Sequence, residues 1–352
     1  MSAPDAIATF APRLLAWQRQ HGRHDLPWQQ TRDPYRVWLS EIMLQQTQVA
    51  TVILYYQRFL DRYPTVAALA AAPQAEVLEL WAGLGYYARA RNLHACAIAV
   101  VEQHGGSFPG DAATLATLPG IGRSTGAAIA SFCYGERAAI LDGNVKRVLC
   151  RHFGIDGFPG STPVERQLWV LAEQLLPVST DMPTYSQGIM DLGATLCSRG
   201  QPDCPACPMR DTCVALATGR TAELPVAKPR KAIPVRQAAV LVCLSDNRVL
   251  LERRPPAGIW GGLLTLPEAQ PDESPATTCA RLGLQCTDSQ PLSGFRHTFS
   301  HFHLDLSPSL CWVEPMAVVM ESSLEWLPLA DVATAALPAP VKKLLLNIGI
   351  NH

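Results

Sequence analysis

The sequence predicts a multidomain chain: an all-α domain over residues 1–220, an interdomain linker over 221–236 and a smaller α/β domain over 237–350. Three observations carry this. From residue 6 to about residue 196, apolar side chains recur at three- and four-residue spacing and are interrupted at Gly or Pro, as in successive amphipathic helices. Residues 221–236 concentrate Pro and basic side chains, among them Pro225, Lys228, Pro229, Arg230, Lys231, Pro234 and Arg236. Beyond them come short alternating runs between Pro and Gly turns. A chain of 352 residues, 48% hydrophobic and 17% charged, is long enough to build two cores.

In the first domain the clearest helices cover 49–59, 76–81, 88–101 and 164–176; in the second, strands are expected at 238–244, 249–252 and 298–304, and a closing helix at 341–347. No uninterrupted apolar run approaches the roughly 18 residues of a membrane span. Asp5 stands where a secretory leader would carry positive charge, so a cytoplasmic protein with no membrane partner is expected. Net charge is −1, and residues 1–220 hold 18 Lys+Arg against 18 Asp+Glu. Any nucleic-acid contact must therefore come from backbone amides, aromatic rings and locally placed charge, not from a strong overall field.

Eleven cysteines are an odd count, and four of them, Cys197, Cys204, Cys207 and Cys213, crowd into 17 residues as Cys-x6-Cys-x2-Cys-x5-Cys. That favours a metal centre over disulfides. Four thiolates so close can enclose one tetrahedral zinc or a cubane cluster, and the spacing alone leaves both open.

Leu118-Pro119-Gly120-Ile121-Gly122 precedes a helical run over 124–132. Gly120 and Gly122 let the turn expose successive amides at a helix N-terminus, where they can hold a phosphate oxygen without side-chain charge. An ordinary helix connection would look the same. Downstream, in Leu141-Asp142-Gly143-Asn144-Val145-Lys146-Arg147-Val148, Asp142 sits at a helix start, where Asp also serves simply as an N-cap.

The order of hairpin, Asp and four-cysteine loop resembles the helix-hairpin-helix DNA glycosylases of the endonuclease III superfamily. Within it, Trp38-Leu39-Ser40-Glu41-Ile42-Met43-Leu44-Gln45-Gln46-Thr47-Gln48-Val49 is similar to the signature of MutY-type adenine DNA glycosylases. The resemblance implies a 4Fe-4S cluster on the four cysteines. It implies Glu41 as the catalytic acid and Asp142 as the electrostatic stabiliser of the cationic sugar, or its nucleophile. It also implies DNA contacts from Gln45 and from Gln46, which wedges into the gap, and a stacking role for Tyr86 in Gly83-Leu84-Gly85-Tyr86. Local sequence permits the acid role: the helical neighbours of Glu41 are Val37, Trp38, Leu44 and Gln45, which supply no cation and keep its carboxyl poorly hydrated. A solvated glutamate on a polar face is the plainer alternative.

Superfamily members that also cut the strand use a lysine just after the hairpin, and here that position is Ser124. Lys146 is the lone lysine of residues 1–220. A monofunctional glycosylase is expected, with Lys146 contacting phosphate.

Gly258-Ile259-Trp260-Gly261-Gly262 through Glu268 is similar to the Nudix-like C-terminal domain of the same family. Asp272 and Glu273 are followed by no second acidic pair, so nucleotide hydrolysis by this domain is not expected. Phe295-Arg296-His297-Thr298-Phe299-Ser300-His301-Phe302-His303 carries the Phe-Ser-His pattern by which the family senses 8-oxoguanine, which assigns Phe299, Ser300 and His301. As residues alone, His297, His301 and His303 share one strand face by parity and also suit a metal. The implied substrate is duplex DNA with adenine opposite 8-oxoguanine or guanine, bound by a monomer. The rivals are an endonuclease III-like glycosylase/lyase and a non-catalytic lesion-binding protein.

Overall fold

The computed structural model describes residues 3–178, 181–229, 232–255, 258–299, 301–316 and 323–349. The chain divides into two units, one of residues 1–72 and 91–230, the other of residues 73–90 and 231–352. The helices up to the cysteine loop and just beyond it are α1 (Ala3–His21), α2 (Pro34–Leu44), α3 (Val49–Arg62), α4 (Val66–Ala70), α5 (Gln74–Leu80), α6 (Ala88–His104), α7 (Ala112–Leu115), α8 (Arg123–Tyr134), α9 (Gly143–Phe153), α10 (Thr162–Gln174), α11 (Met182–Ala194) and α12 (Val214–Ala217). None of the described helices is long and apolar enough to cross a membrane.

Local rules set the helix ends. α2 starts because the Asp33 carboxylate accepts from the Tyr35 amide at 2.9 Å and Pro34 needs no amide partner. It stops at Leu44, after which Gln46 adopts a φ of 59°. α3 buries Val52, Tyr56, Phe59 and Leu60, a stripe at helical spacing. Within the first unit α2 packs on α8, and α11 packs on α1, α8 and α9. A core of Phe10, Leu14, Val145, Leu149, Leu168 and Ile189 fills the space between these helices.

The second unit contains a mixed sheet of β1 (Val235–Ser245), β2 (Arg248–Arg253), β3 (Leu264–Thr265), β4 (Leu284–Pro291), β5 (Phe295–Thr298), β6 (His303–Pro315) and β7 (Leu324–Pro328). The order is β3-β2-β1-β6-β4, with β5 on β6 and β7 on β2; β1 and β6 run parallel and the other pairs antiparallel. Two helices belong to this unit's sheet: α13 (Pro275–Arg281), capped by the Ser274 hydroxyl accepting from the Thr277 amide at 3.2 Å, and α14 (Ala339–Gly349).

The boundary between the units falls at 230/231, inside the segment read as a linker. Within that segment Leu224 is buried, its carbonyl accepts from Arg151 Nε at 2.8 Å, and β1 starts at Val235. Residues 73–90, with α5, group with the second unit. One expectation is corrected. The strand expected at 298–304 is a hairpin instead: β5 ends at Thr298, the Phe299 amide donates to Phe302 O at 2.9 Å, and Thr298 pairs with His303. His297 therefore lies on a different strand from His303, which removes the single-strand metal face. Gly, Asn, Asp and Pro are missing from this turn, which leaves Ser300 as its one turn-favouring residue.

The hairpin before α8 gives two glycines different duties. Gly120 has a φ of 76°, and a Cβ there would lie 2.7 Å from Asn92 Cβ, whereas a Cβ on Gly122 meets nothing within 4 Å. Gly120→Ala is expected to cost about 1–3 kcal/mol in urea unfolding, and Gly122→Ala to stay within about 0.5 kcal/mol of wild type.

Candidate active site

Glu41 sits in the last turn of α2, Ser124 in the first turn of α8, Asp142 at the N-cap of α9 and Gln187 in α11. Because these helices pack together, the four side chains line one cavity of about 630 Å³. Gln45 and Gln46 complete one wall, and Arg23, Trp28, Asn144 and Arg147 complete the others. A second cavity of about 370 Å³ shares Arg23, Trp28, Glu41 and Gln187 with the first, so Glu41 faces both.

The two carboxyls are held differently. Burial, and then the negative charge of Asp142, raise the Glu41 pKa to about 7. Burial also raises that of Asp142, but the group is opposed by the Val145 amide (2.7 Å to Oδ1), the Asn144 side chain (3.3 Å to Oδ2) and the charge of Arg147. Those partners and the positive end of α9 all favour an ionised Asp142. Burial pushes both carboxyls toward the neutral form, but only Asp142 has donors and a cation acting against that rise, an asymmetry suited to acid catalysis with charge stabilisation.

Fixed contacts hold this geometry. The Ser124 hydroxyl accepts from the Leu141 amide at 2.9 Å, pinning the chain just before Asp142. Asp191, fully buried, accepts from Arg23 Nε at 2.7 Å, from the Arg23 amide at 2.9 Å and from Gln187 Nε2 at 2.8 Å, and so sets two side chains of the cavity wall. Arg147 donates to Asn144 Oδ1 at 2.8 Å and to Cys197 O at 2.7 Å, linking the Asp142 wall to the cysteine loop.

Other expected site residues lie elsewhere. Gly120 and Gly122 form the hairpin and do not line the cavity, and Lys146 pairs with Glu165 at 2.5 Å. Glu165, nineteen positions along the chain, thus takes one of the three donors of the ammonium that the sequence assigns to phosphate. In the second unit Tyr86 is 53% exposed at a φ of 48°, with the Arg89 guanidinium 5.7 Å from its ring. Phe299 stacks on Phe302 at 4.5 Å and meets the edge of His297 at 4.6 Å, with Trp260 5.7 Å away; His301 is exposed, 4.8 Å from Phe302. Ser300 lies outside the described residues. Arg23, Trp28, Asn144, Arg147 and Gln187 were not singled out from sequence. Asn144 and Arg147 carried a signal, being neighbours of Asp142 in the same motif; the other three carried none.

Cys197, Cys204, Cys207 and Cys213 line a single cavity, and Arg151 Nη1 lies 3.4 Å from Cys197 Sγ. Four thiols gathered at one cavity are a donor set for either a tetrahedral metal ion or a cubane cluster.

Residues 39–174 match the model of the HhH-GPD superfamily base excision DNA repair proteins, and residues 238–347 match that of the NUDIX domain. Adenine DNA glycosylase of Buchnera aphidicola (subsp. Acyrthosiphon pisum) is 33% identical over 344 residues, covering 97% of this chain and 98% of its own. The chain belongs to the adenine DNA glycosylase family. The adenine DNA glycosylase of Homo sapiens is 36% identical, covering 96% of this chain and 73% of its own. Among solved structures, a thermostable thymine-DNA glycosylase aligns with a TM-score of 0.57 and 29% identity over 62% of this chain and 100% of its own. Endonuclease III in a non-covalent DNA complex shares the fold, with a TM-score of 0.53 and 21% identity over 62% of this chain and 99% of its own. As a member of the adenine DNA glycosylase family, the protein is a DNA glycosylase with a helical catalytic fold and a smaller Nudix-like domain.

The raised Glu41 pKa has a thermodynamic signature. Between the ordinary value of 4.5 and about 7 the folded state keeps a proton that the unfolded state has lost, so stability falls as pH rises through that window. Glu41→Gln abolishes the penalty. Denaturant unfolding is expected to show the variant gaining on wild type by on the order of 2 kcal/mol at pH 8, after a discount for water in the cavity, with no gain at pH 4.

Proposed function

We propose that the enzyme hydrolyses the N-glycosidic bond of adenine mispaired with 8-oxoguanine or guanine in duplex DNA, without a lyase step. The observation that carries this reading is a carboxyl, Glu41, whose pKa is raised to about 7 in a cavity it shares with Asp142. Adenine is a poor leaving group, and a base inside a duplex is out of reach until it is extruded, at a cost of roughly a few kcal/mol. Gln46, exposed at a positive φ on the cavity rim, suits a wedge that fills the gap, and Gln45 beside it suits a contact to the displaced strand.

With the base extruded into the cavity, Glu41 gives its proton to a ring nitrogen of adenine. The bond between C1′ and N9 breaks and its electron pair leaves with the base. Asp142 stabilises the positive charge that develops on the sugar. Water then adds to C1′, and the Glu41 carboxylate takes up the proton that water releases, which restores the starting state. The Gly120–Gly122 hairpin holds a backbone phosphate through its amides, and Tyr86 stacks on DNA. Ser124, with its hydroxyl committed to the Leu141 amide, offers no amine for a Schiff base, which supports a monofunctional reaction.

The cavity lined by Cys197, Cys204, Cys207 and Cys213 would hold a 4Fe-4S cluster, whose contribution when bound is to cross-link the loop that Arg147 ties to the Asp142 wall. In the second unit Phe299 and His301, on a hairpin braced by Trp260 and Phe302, together with Ser300, would read 8-oxoguanine. The added oxygen and protonated ring nitrogen of that base give hydrogen-bonding groups something guanine lacks. The protein would act as a monomer in the cytoplasm.

Single-turnover adenine release from a duplex bearing 8-oxoguanine tests the reading. Glu41→Gln is expected to bind the duplex within a few-fold of wild type and to release adenine at least about a thousandfold more slowly. Wild-type release should fall roughly tenfold per pH unit above neutrality as Glu41 ionises. Release by the variant at a rate close to wild type would reject the mechanism.

The second unit is tested separately. Phe299→Ala should bring the rates on 8-oxoguanine and guanine mispairs closer together, leaving the guanine rate within about threefold of wild type, since the variant removes packing remote in sequence from the acid. An unchanged ratio would detach the hairpin from lesion recognition.

A further inference from the structure

The second unit gathers four cysteines that no local spacing announces. Cys243 is on β1, Cys279 on α13, Cys286 on β4 and Cys311 on β6. β1, β6 and β4 are neighbours in the sheet, and Cys243 and Cys311 are direct partners in the parallel β1–β6 ladder, so both side chains leave the same face. Cys286 stands opposite Val313, two residues from Cys311 and therefore on that face as well. A bulge between Cys286 and Asp288 bends β4 at this point, the kind of irregularity that re-aims a side chain. α13 packs on β4 and β6 and supplies Cys279 from above.

The sulfurs converge. Cys243 Sγ and Cys279 Sγ are 4.0 Å apart, and those of Cys279, Cys286 and Cys311 all lie within 4.8 Å of one another. Sulfurs around tetrahedral zinc stand about 3.8 Å apart, so Cys279, Cys286 and Cys311 close on one ion with shifts of about 1 Å, and Cys243, beside Cys279, is placed to swing in as the fourth donor. Free cysteines often pack as small hydrophobes, and Leu241, Leu282 and Val313 beside them suit that role. Such packing carries no requirement that four thiols from four elements meet at one point. Cys243, Cys279 and Cys311 are fully buried, while Cys286 is half-buried and gives an ion a way in.

We propose that Cys243, Cys279, Cys286 and Cys311 form a tetrathiolate zinc site that fastens α13 to the sheet, separate from the cysteine loop at 197–213. Thiolate donors in this geometry suit Zn²⁺, and its binding displaces four thiol protons to solvent with no change of oxidation state. Nothing in this depends on the base-excision reading.

Metal analysis of the full-length protein, reconstituted with iron, sulfide and equimolar zinc under reducing conditions, tests the site. Zinc is expected at about one per chain, falling at least tenfold in Cys286→Ser and in Cys311→Ser while iron stays unchanged. Wild-type protein loaded with Cd²⁺ instead should show thiolate-to-cadmium charge transfer in the ultraviolet, a readout that does not depend on how the variants fold. Zinc below a tenth per chain, zinc that survives both substitutions, zinc lost only with Cys204→Ser, or a disulfide among these four residues in the reduced protein's mass spectrum would each overturn the proposal.

Discussion

Two carboxyl groups facing one poorly hydrated cavity cannot both carry charge at low cost, and the rest of the helical unit is arranged around how that conflict is settled. Asp142 is the better placed to hold charge because it caps α9, where the Val145 amide, the Asn144 side chain and Arg147 act against the rise that burial imposes. Glu41, three residues before its own helix ends, has burial and a negative neighbour acting on it, and both favour the neutral form. The difference comes from placement at opposite ends of two helices, not from different side-chain chemistry.

That placement depends on contacts spanning the chain. Ser124 holds the residue before Asp142 from a position 17 residues earlier. Asp191 orients Arg23 from 168 residues away, and Arg147 connects Asn144 to Cys197 across 50. The cysteine loop thus bears on the carboxyl wall through two hydrogen-bonded side chains. A close-packed interior passes small displacements along such a route without absorbing them.

What was legible in the sequence and what was not separate along the same line. The start of α9 at Asp142 and the apolar surroundings of Glu41 are local: an N-cap residue, and neighbours three and four positions away on a helix. Both could be read from a dozen letters. Arg23, Trp28 and Gln187 reach the cavity only through tertiary packing, and nothing near them in sequence marks the destination. The pairing of Lys146 with Glu165 was not legible, because Glu165 lies on another helix, α10. The 299–302 turn offers only Ser300, the weakest of the usual turn signals, so β5 and β6 read as a single strand. α13 carried its signals, Ser274 as cap and Pro275 in the first turn, but those same residues also compose loops. Cysteines spread over four elements are a fold-level fact and were invisible to spacing.

The open space beside Gly122 bears on how this protein would travel. A grip made of main-chain amides displaces few condensed cations from a polyanion, so its strength decays only gently with ionic strength, unlike that of an arginine-studded groove. With formal charges nearly cancelled, −1 over the whole chain, loose encounters with bulk chromosome are brief and weakly held. Residence time then accrues at distorted sites that complete the fit, and the chain gives up long-range electrostatic steering in exchange for quick release from ordinary duplex.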